Sequence, residues 1–198
     1  MAILLQNLQL IHGGKIHPVA NYSFDGASLI EIDSREKFSF KSSIDCTGLY
    51  GSSGWIDLRA GLGEPGQEYR ETVASLCESL LVSGFSKAVV MPNTDPVIQS
   101  KNEAEFVLNR SKNFLPELVV MGAVTKKTEG EDLTEMLDMH FQVGLTVFGD
   151  GVKSLSNSDR YMKILQYHQK FNGVLFDHAY DNLLKIFCQM HEVEIYTK

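Results

Sequence analysis

The sequence has 198 residues, 43% of them hydrophobic, and a formal net charge of −7. This length fits one large domain or one domain with a small companion, and the hydrophobic content is enough to build a core. The acidic balance argues against nucleic acid as a partner, because phosphate binding needs clustered cations. No apolar run reaches the ~20 residues of a membrane helix, and the N-terminus shows no signal peptide. We therefore expect a cytoplasmic protein that binds neither membranes nor nucleic acids.

The cysteines and histidines are widely spaced along the chain. Cys46, Cys77 and Cys188 are odd in number and far apart, which favours buried free thiols over a disulfide. His140 and His168 fall in helical patterns, where we expect them at the surface. No two histidines have the spacing of a metal-ligand pair.

The N-terminal region, residues 1–53, is rich in strand formers and poor in helix formers. Apolar runs at 3–10 and 28–32 predict strands, residues 12–15 form a turn pattern, and residues 43–48 close the region. The pattern therefore predicts a small β-sheet unit.

From residue 54 onward, short aliphatic runs alternate with helical patterns. The predicted strands are 55–58, 87–91, 118–124, 144–148 and 173–177, and the predicted helices are 68–83, 101–111, 132–141 and 158–171. The expected N-caps are Ser100 or Asn102 for the second helix, and Ser156, Asn157 or Ser158 for the fourth. Such alternation predicts βαβ units with parallel strands. Periodicity alone leaves a barrel and an open sheet as alternatives.

Four motifs lie where predicted strands end. Residues 54–66 read G-W-I-D-L-R-A-G-L-G-E-P-G, and residues 91–96 read M-P-N-T-D-P. Residues 144–151 read G-L-T-V-F-G-D-G, and residues 176–181 read F-D-H-A-Y-D. The C-terminal ends of strands carry the chemistry in (β/α) barrels, so these motifs mark the candidate site.

Together the motifs resemble the dihydroorotase group of the amidohydrolase superfamily, over essentially the whole chain. The corresponding family patterns are P-G-x-I-D-x-H-x-H-x-R-E-P-G, M-P-N-T, G-x-x-x-F-S-D-D-G and D-H-x-E-D. The resemblance implies an α/β fold with a TIM-like (β/α) barrel of the metal-dependent hydrolase type. Residues 1–53 would form half of a composite β-sandwich, and residues 54–198 the first part of the barrel. Five strands fall short of an eight-stranded barrel of ~250 residues, so we expect a truncated barrel, with a complete small α/β domain as the alternative.

The resemblance also assigns site positions. The two metal-binding histidines of the first family motif fall on Arg59 and Gly61, and the arginine that binds the substrate carboxylate falls on Gly63. Asn93 matches an asparagine that helps hold that carboxylate, with a simple turn residue as the alternative.

Two further residues match family positions near the metals. Asp150 matches an aspartate of the fourth-strand loop, and His178 matches a histidine ligand of the second metal. The alternative for Asp150 is a turn former. The alternative for His178 is a hydrogen-bonded residue of the core or of the barrel mouth. Arginine has no lone pair for a metal, and catalytic zinc takes three or more protein ligands. We therefore expect no zinc, the metal of the family, and consider an ion pair of Arg59 with Asp150 or Asp177.

Two functional hypotheses follow from the resemblance. The favoured one is a dihydroorotase homologue of pyrimidine biosynthesis without metal-dependent catalysis. It would act as a structural partner, as a homo-oligomer and in a complex with aspartate carbamoyltransferase. The alternative is an active dihydroorotase or related cyclic amidohydrolase, which would convert dihydroorotate to carbamoyl aspartate with a zinc-bound hydroxide. The small number of retained ligand positions favours the first hypothesis.

Overall fold

The computed structural model describes residues 2–32 and 39–180. The chain divides into two units, Met1–Gly54 and Trp55–Lys198. Cys46 and Cys77 are buried free thiols, as predicted, whereas Cys188 lies outside the described residues. No helix in residues 2–32 and 39–180 has both the length and the apolar character needed to cross a membrane.

The first unit is a mixed sheet centred on its first strand. Its strands are β1 (Ile3–His12), β2 (Lys15–Phe24), β3 (Leu29–Ile32), β4 (Ser42–Asp45) and β5 (Tyr50–Ser52). β1 pairs antiparallel with β2 and parallel with β4 and β5, and β3 pairs antiparallel with β2. Gly13 and Gly14, both with positive φ, form the turn between β1 and β2, as hairpin turns require. The predicted β-sheet unit is therefore present, and a second sheet that would complete a sandwich stays a prediction.

The second unit contains a sheet whose five strands are all parallel. They are β6 (Trp55–Ala60), β7 (Phe85–Val90), β8 (Glu117–Gly122), β9 (Val147–Phe148) and β10 (Val174–Leu175). The order across the sheet is β10-β9-β8-β7-β6, so each strand lies beside its predecessor in the chain. Ala88, Val89 and Val90 of β7 are all buried, as expected for a parallel strand covered on both faces. The sheet agrees with the predicted α/β fold at the level of a partial TIM-like barrel.

Four helices connect these strands. They are α1 (Val73–Val82), α2 (Lys101–Ser111), α3 (Met136–Asp138) and α4 (Ser158–His168). Ser100 caps α2 and Asn157 caps α4, which selects one residue from each predicted set. α1 begins later than the predicted residue 68, because Thr72 and Ser75 form a capping box that fixes the first turn.

The third predicted helix, 132–141, is the one most altered in the structure. An isolated bridge between Thr125 and Leu133 holds the start of this segment in an extended form. The helix therefore begins at Met136, and it continues as a π-helical turn over Met139–Val143. Gly144 ends that turn with φ 81°, a conformation that glycine adopts without a steric penalty.

His168 at the end of α4 is buried, so the expected surface position is wrong. Its Nδ1 lies 2.8 Å from the carbonyl oxygen of Ile164, which makes Nδ1 the protonated nitrogen of the neutral ring. Nε2 is buried and has no hydrogen-bond partner among the described residues. The ring contacts Phe148 and Phe171, each with a centroid distance of 5.3 Å. Burial lowers the pKa of His168, and the hydrogen bond to Ile164 opposes that shift.

His168 should make the protein less stable in mild acid. Its folded pKa lies below the unfolded value near 6.5, so the unfolded chain binds more protons below that pH. The contribution to stability is therefore full above the unfolded pKa and is lost as the pH falls toward the folded pKa. We expect His168→Phe to reduce the loss of unfolding free energy between about pH 7 and about pH 5, measured by urea denaturation. His17→Phe on an exposed hairpin strand serves as the control, and equal pH slopes in wild type and His168→Phe would contradict the prediction.

Candidate functional site

The candidate site lies at the C-terminal ends of the parallel strands, the edge that carries the chemistry in (β/α) barrels. A hollow of about 400 Å³ opens there. It is lined by Leu58, Arg59, Met91, Met121, Gly151, Leu175, Phe176, Asp177 and His178. A second hollow of about 380 Å³ is lined by Gly61, Leu62, Gly63, Arg70, Glu71, Met91, Asn93 and Val152. The two hollows together contain five of the six residues that sequence reasoning placed at the site. The sixth, Asp150, is buried beside them, in the loop that Asn93 contacts.

Arg59 and Gly61 stand at the end of β6. The backbone N–H of Arg59 donates to the Asp57 carboxylate at 2.8 Å. Within the described part of the chain, Arg59 forms no ion pair with Asp150 or Asp177, so the pairing considered from sequence is wrong here. A Cβ at Gly61 would meet no atom within 4 Å, and this position can therefore accept a side chain.

Gly63 lies in a loop whose backbone closes tightly around it. Its N–H donates to the carbonyl of Glu71 at 3.1 Å, and its carbonyl accepts the N–H of Gln67 at 2.7 Å. A Cβ at Gly63 would lie 2.7 Å from the Glu71 carbonyl oxygen and closer still to that of Gln67. These neighbours are backbone atoms, which cannot turn aside as a side chain can. The fold therefore requires glycine where the family carries an arginine.

Glu64, in the same loop, is a buried carboxylate to which sequence reasoning gave no role. Its Oε2 accepts the N–H of Val73 in the first turn of α1 at 2.8 Å. Its Oε1 lies 2.9 Å from both Nε and Nη2 of Arg110 on α2, so the guanidinium and the carboxylate form an ion pair. Glu64 therefore joins the loop to both helices. The signal that could have pointed to it is an acidic residue shortly before a helical pattern, because helix N-termini attract anions.

Asn93 joins the loops that follow β7 and β9. Its Nδ2 donates to the carbonyl oxygen of Asp150 at 3.2 Å, and its Oδ1 accepts the N–H of Val152 at 3.2 Å. Gly151 lies between these partners with φ 65°, and a Cβ there would lie 2.9 Å from the Asn93 Cγ. The amide of Asn93 therefore holds a close approach of two loops.

Asp150 is fixed to the end of β8. It is 2% exposed, and its Oδ1 accepts the N–H groups of Val124 and Thr125 at 3.1 and 3.0 Å. Its Oδ2 accepts the Thr125 hydroxyl. Burial raises the pKa of the Asp150 carboxyl, while the hydrogen bonds from Thr125 and Val124 and the charge of Lys153 oppose the rise. Both carboxylate oxygens are thus engaged inside the protein.

His178 follows β10 and is half-buried at the rim of the first hollow. Its ring stacks on that of Tyr180, with centroids 5.8 Å apart and planes 19° apart. His178 also lines a third cleft of about 570 Å³ together with Lys153.

The residues present at the strand ends do not fit zinc. Across residues 2–32 and 39–180, no group of three or more His, Cys, Asp or Glu side chains is placed to hold a metal ion. Arg59 has no lone pair, Gly61 has no side chain, and both oxygens of Asp150 accept internal donors. Among the family positions this leaves His178, and Asp177 beside it raises the number of donors to two, whereas catalytic zinc takes three protein ligands.

Curated proteins similar to this chain in sequence are dihydroorotases. The chain is 34% identical over 140 residues to the dihydroorotase of Ruminiclostridium cellulolyticum, which covers 70% of this chain and 32% of that protein. It is 30% identical over 192 residues to the dihydroorotase of Elusimicrobium minutum, which covers 96% of this chain and 41% of that protein. The chain thus spans between 32% and 41% of the length of these two relatives. No protein-family model matches the chain.

Solved structures share the fold. An L-hydantoinase (dihydropyrimidinase) from Arthrobacter aurescens superposes with a TM-score of 0.69 at 16% identity, covering 87% of this chain and 39% of that one. A crystal structure of a dihydroorotase superposes with a TM-score of 0.56 at 10% identity, covering 88% of this chain and 50% of that one. At such identities the likeness concerns the fold alone. The sequence relatives support the dihydroorotase-like character predicted from the motifs, and the superpositions support the predicted fold.

Proposed function

We propose that this chain is a dihydroorotase homologue that lacks metal-dependent hydrolysis and acts as a structural partner in pyrimidine biosynthesis. One observation carries the proposal: the polar groups at the family's site positions hold the strand-end loops together. Asn93 and Asp150 hydrogen-bond to neighbouring loops, and the backbone around Gly63 excludes a side chain. A hydrolase needs such groups directed at the substrate and its transition state.

The charge of Arg59 adds to this argument. At ~4 Å and an effective dielectric constant of ~20, each pair of like unit charges costs about 4 kcal/mol. A dication at the family's metal position would meet about twice that cost, because a guanidinium stays protonated in proteins. Arg59 therefore opposes a metal as well as failing to bind one.

Exposed apolar residues support a role in assembly. Trp55, Ile56 and Leu58 on β6 are 64%, 56% and 59% exposed. β6 stands at one end of the strand order of the described sheet, and exposed apolar residues on such an edge support an interaction site there. A partner chain, or further residues of a longer polypeptide, would cover these apolar side chains. We propose self-association and a complex with aspartate carbamoyltransferase.

A second candidate is an active dihydroorotase or related cyclic amidohydrolase. It is favoured by the sequence relatives, which are dihydroorotases, and by the open space around Gly61. It requires the substrate contacts and metal ligands to come from residues other than Gly63, Asp150 and Arg59.

The proposal predicts that the protein holds no stoichiometric zinc and hydrolyses dihydroorotate no faster than background. It also predicts that the protein associates in solution. The natural protein should be purified without chelators and its metal content measured by elemental analysis. Hydrolysis should then be followed with and without a chelator, and light scattering recorded alone and with aspartate carbamoyltransferase. One zinc per chain with chelator-sensitive hydrolysis would favour the second candidate. A monomer that does not bind the enzyme at ~1 μM would contradict the partner role.

A further inference from the structure

We infer that Arg59 makes the hollow of about 400 Å³ at the strand ends a binding site for a small organic anion with an apolar body. The inference rests on the proposed function, because it needs Arg59 to stand at the strand ends without a metal. In the family, the position of Arg59 binds a metal cation, whereas the inference assigns an anion to it.

The hollow has the size and the lining of a small-molecule site. Small-molecule pockets in proteins occupy about 300–1,000 Å³ and are mostly apolar, with few polar groups. The apolar part of this lining comes from five residues: Leu58, Met91, Met121, Leu175 and Phe176. Two of them are methionines, whose unbranched thioethers adapt to the shape of a ligand. A ligand with an apolar body would therefore displace water from this surface and gain affinity.

Arg59 supplies the charge for recognition. It is the one permanent cation among the described residues that line the hollow, and no ion pair occupies its guanidinium within them. A guanidinium presents a planar fork of donors that matches a carboxylate in two parallel hydrogen bonds. The Asp150 carboxylate does not compete for Arg59, because its oxygens accept donors from Val124 and Thr125.

Asp177 restricts the kind of anion. Its carboxylate lines the same hollow, and its Oδ1 accepts the N–H of Leu155 at 3.4 Å. A dianion bound at Arg59 would be repelled by Asp177 more strongly than a monoanion, since like charges at short range are unfavourable. The arrangement therefore favours a monocarboxylate over a phosphate.

Calorimetric titration with matched probes tests this inference on the protein after dialysis against a chelator. Benzoate carries an apolar ring and one carboxylate, benzamide is its neutral counterpart, and inorganic phosphate lacks the apolar body. We expect benzoate to bind, and benzamide and phosphate to bind at least ~10-fold more weakly. Arg59→Gln should weaken benzoate binding at least ~10-fold, and Arg59→Lys less so. Arg70→Gln, which removes a guanidinium from the neighbouring hollow, should leave the affinity unchanged.

Equal affinity for benzoate in wild type and Arg59→Gln would overturn the inference, as would equal binding of benzoate and benzamide. Thermal melting of each variant checks the fold, and Arg59 is exposed enough for its substitution to leave the melting temperature unchanged. The zinc and hydrolysis assays are independent of this titration. If the protein is metal-free and inactive but benzoate binding does not depend on Arg59, this inference alone is rejected. If the protein shows chelator-sensitive hydrolysis, the proposed function is rejected.

Discussion

Replacing Gly63 by arginine, the residue that the family carries at this position, should lower the free energy of unfolding by about 4 kcal/mol. Any Cβ at this position would lie 2.7 Å from the Glu71 carbonyl oxygen and 3.0 Å from its nitrogen. Relief requires the loop to open, which breaks the hydrogen bonds of Gly63 with Glu71 and Gln67. Gly63→Ala should cause most of the same loss, since the clash begins at the first side-chain carbon.

Gly61→Ala is the matched control, two residues away in the same loop. Its Cβ would meet nothing within 4 Å, so we expect stability within about 1 kcal/mol of wild type. Urea denaturation of the three variants measures the difference. Wild-type stability in Gly63→Arg would show that the loop opens at little cost, and would return this position to the candidates for substrate binding. The expected loss means instead that restoring the family residues at positions 59, 61 and 63 does not rebuild the family site.

Replacing Asp150 by alanine should lower the free energy of unfolding by about 3 kcal/mol. The substitution leaves the buried N–H groups of Val124 and Thr125 and the Thr125 hydroxyl without their acceptor. Each unsatisfied buried group costs about 1–3 kcal/mol, and the relief of burying a carboxylate offsets part of the sum. The end of β8 would lose its attachment to the loop after β9.

Two control substitutions separate this structural role from others. Asp150→Asn keeps an oxygen for the two backbone N–H groups, so we expect a loss of about 1 kcal/mol. Asp159→Ala removes an exposed aspartate paired with Lys163 at 2.8 Å, and should change stability by less than about 1 kcal/mol. A carboxylate that served as a free ligand at the mouth would behave like Asp159. Denaturation curves for Asp150→Ala that match those of Asp159→Ala would therefore contradict the structural role.

The strands of the second unit could be predicted from sequence because buried parallel strands are short aliphatic runs. All five were placed correctly, with ends that differ by a few residues. The prediction for β9 began at residue 144, but Gly144 with φ 81° belongs to the end of the π-helical turn, and β9 begins at Val147. Sequence patterns also did not separate β2 (Lys15–Phe24) from the rest of the N-terminal region, because its residues are mostly exposed and show no clear apolar alternation.

Alignment of motifs could place the candidate site but could not reveal how its side chains are used. Asn93 bonds to Val152, 59 residues away, and Asp150 bonds to Thr125, 25 residues away. Glu64 bonds to Arg110, 46 residues away. Such long-range hydrogen bonds leave no local pattern in the sequence, since neither partner is set by the residues around it. The expected surface position of His168 failed for a similar reason, because Phe148, whose ring packs against it, comes from β9, 20 residues away.

The order of strands in the second unit has a consequence for how the protein folds during synthesis. Each strand pairs with the one made just before it, and the paired residues Ile56 and Lys87, or Val147 and Val174, are about 30 positions apart. Ribosomes add about 5–20 residues per second, so the partner of each strand is complete a few seconds before the strand itself. Each strand can therefore dock on its predecessor within a few seconds of its own synthesis. The nascent sheet then exposes its growing edge for a short time at each step, which limits pairing with neighbouring chains.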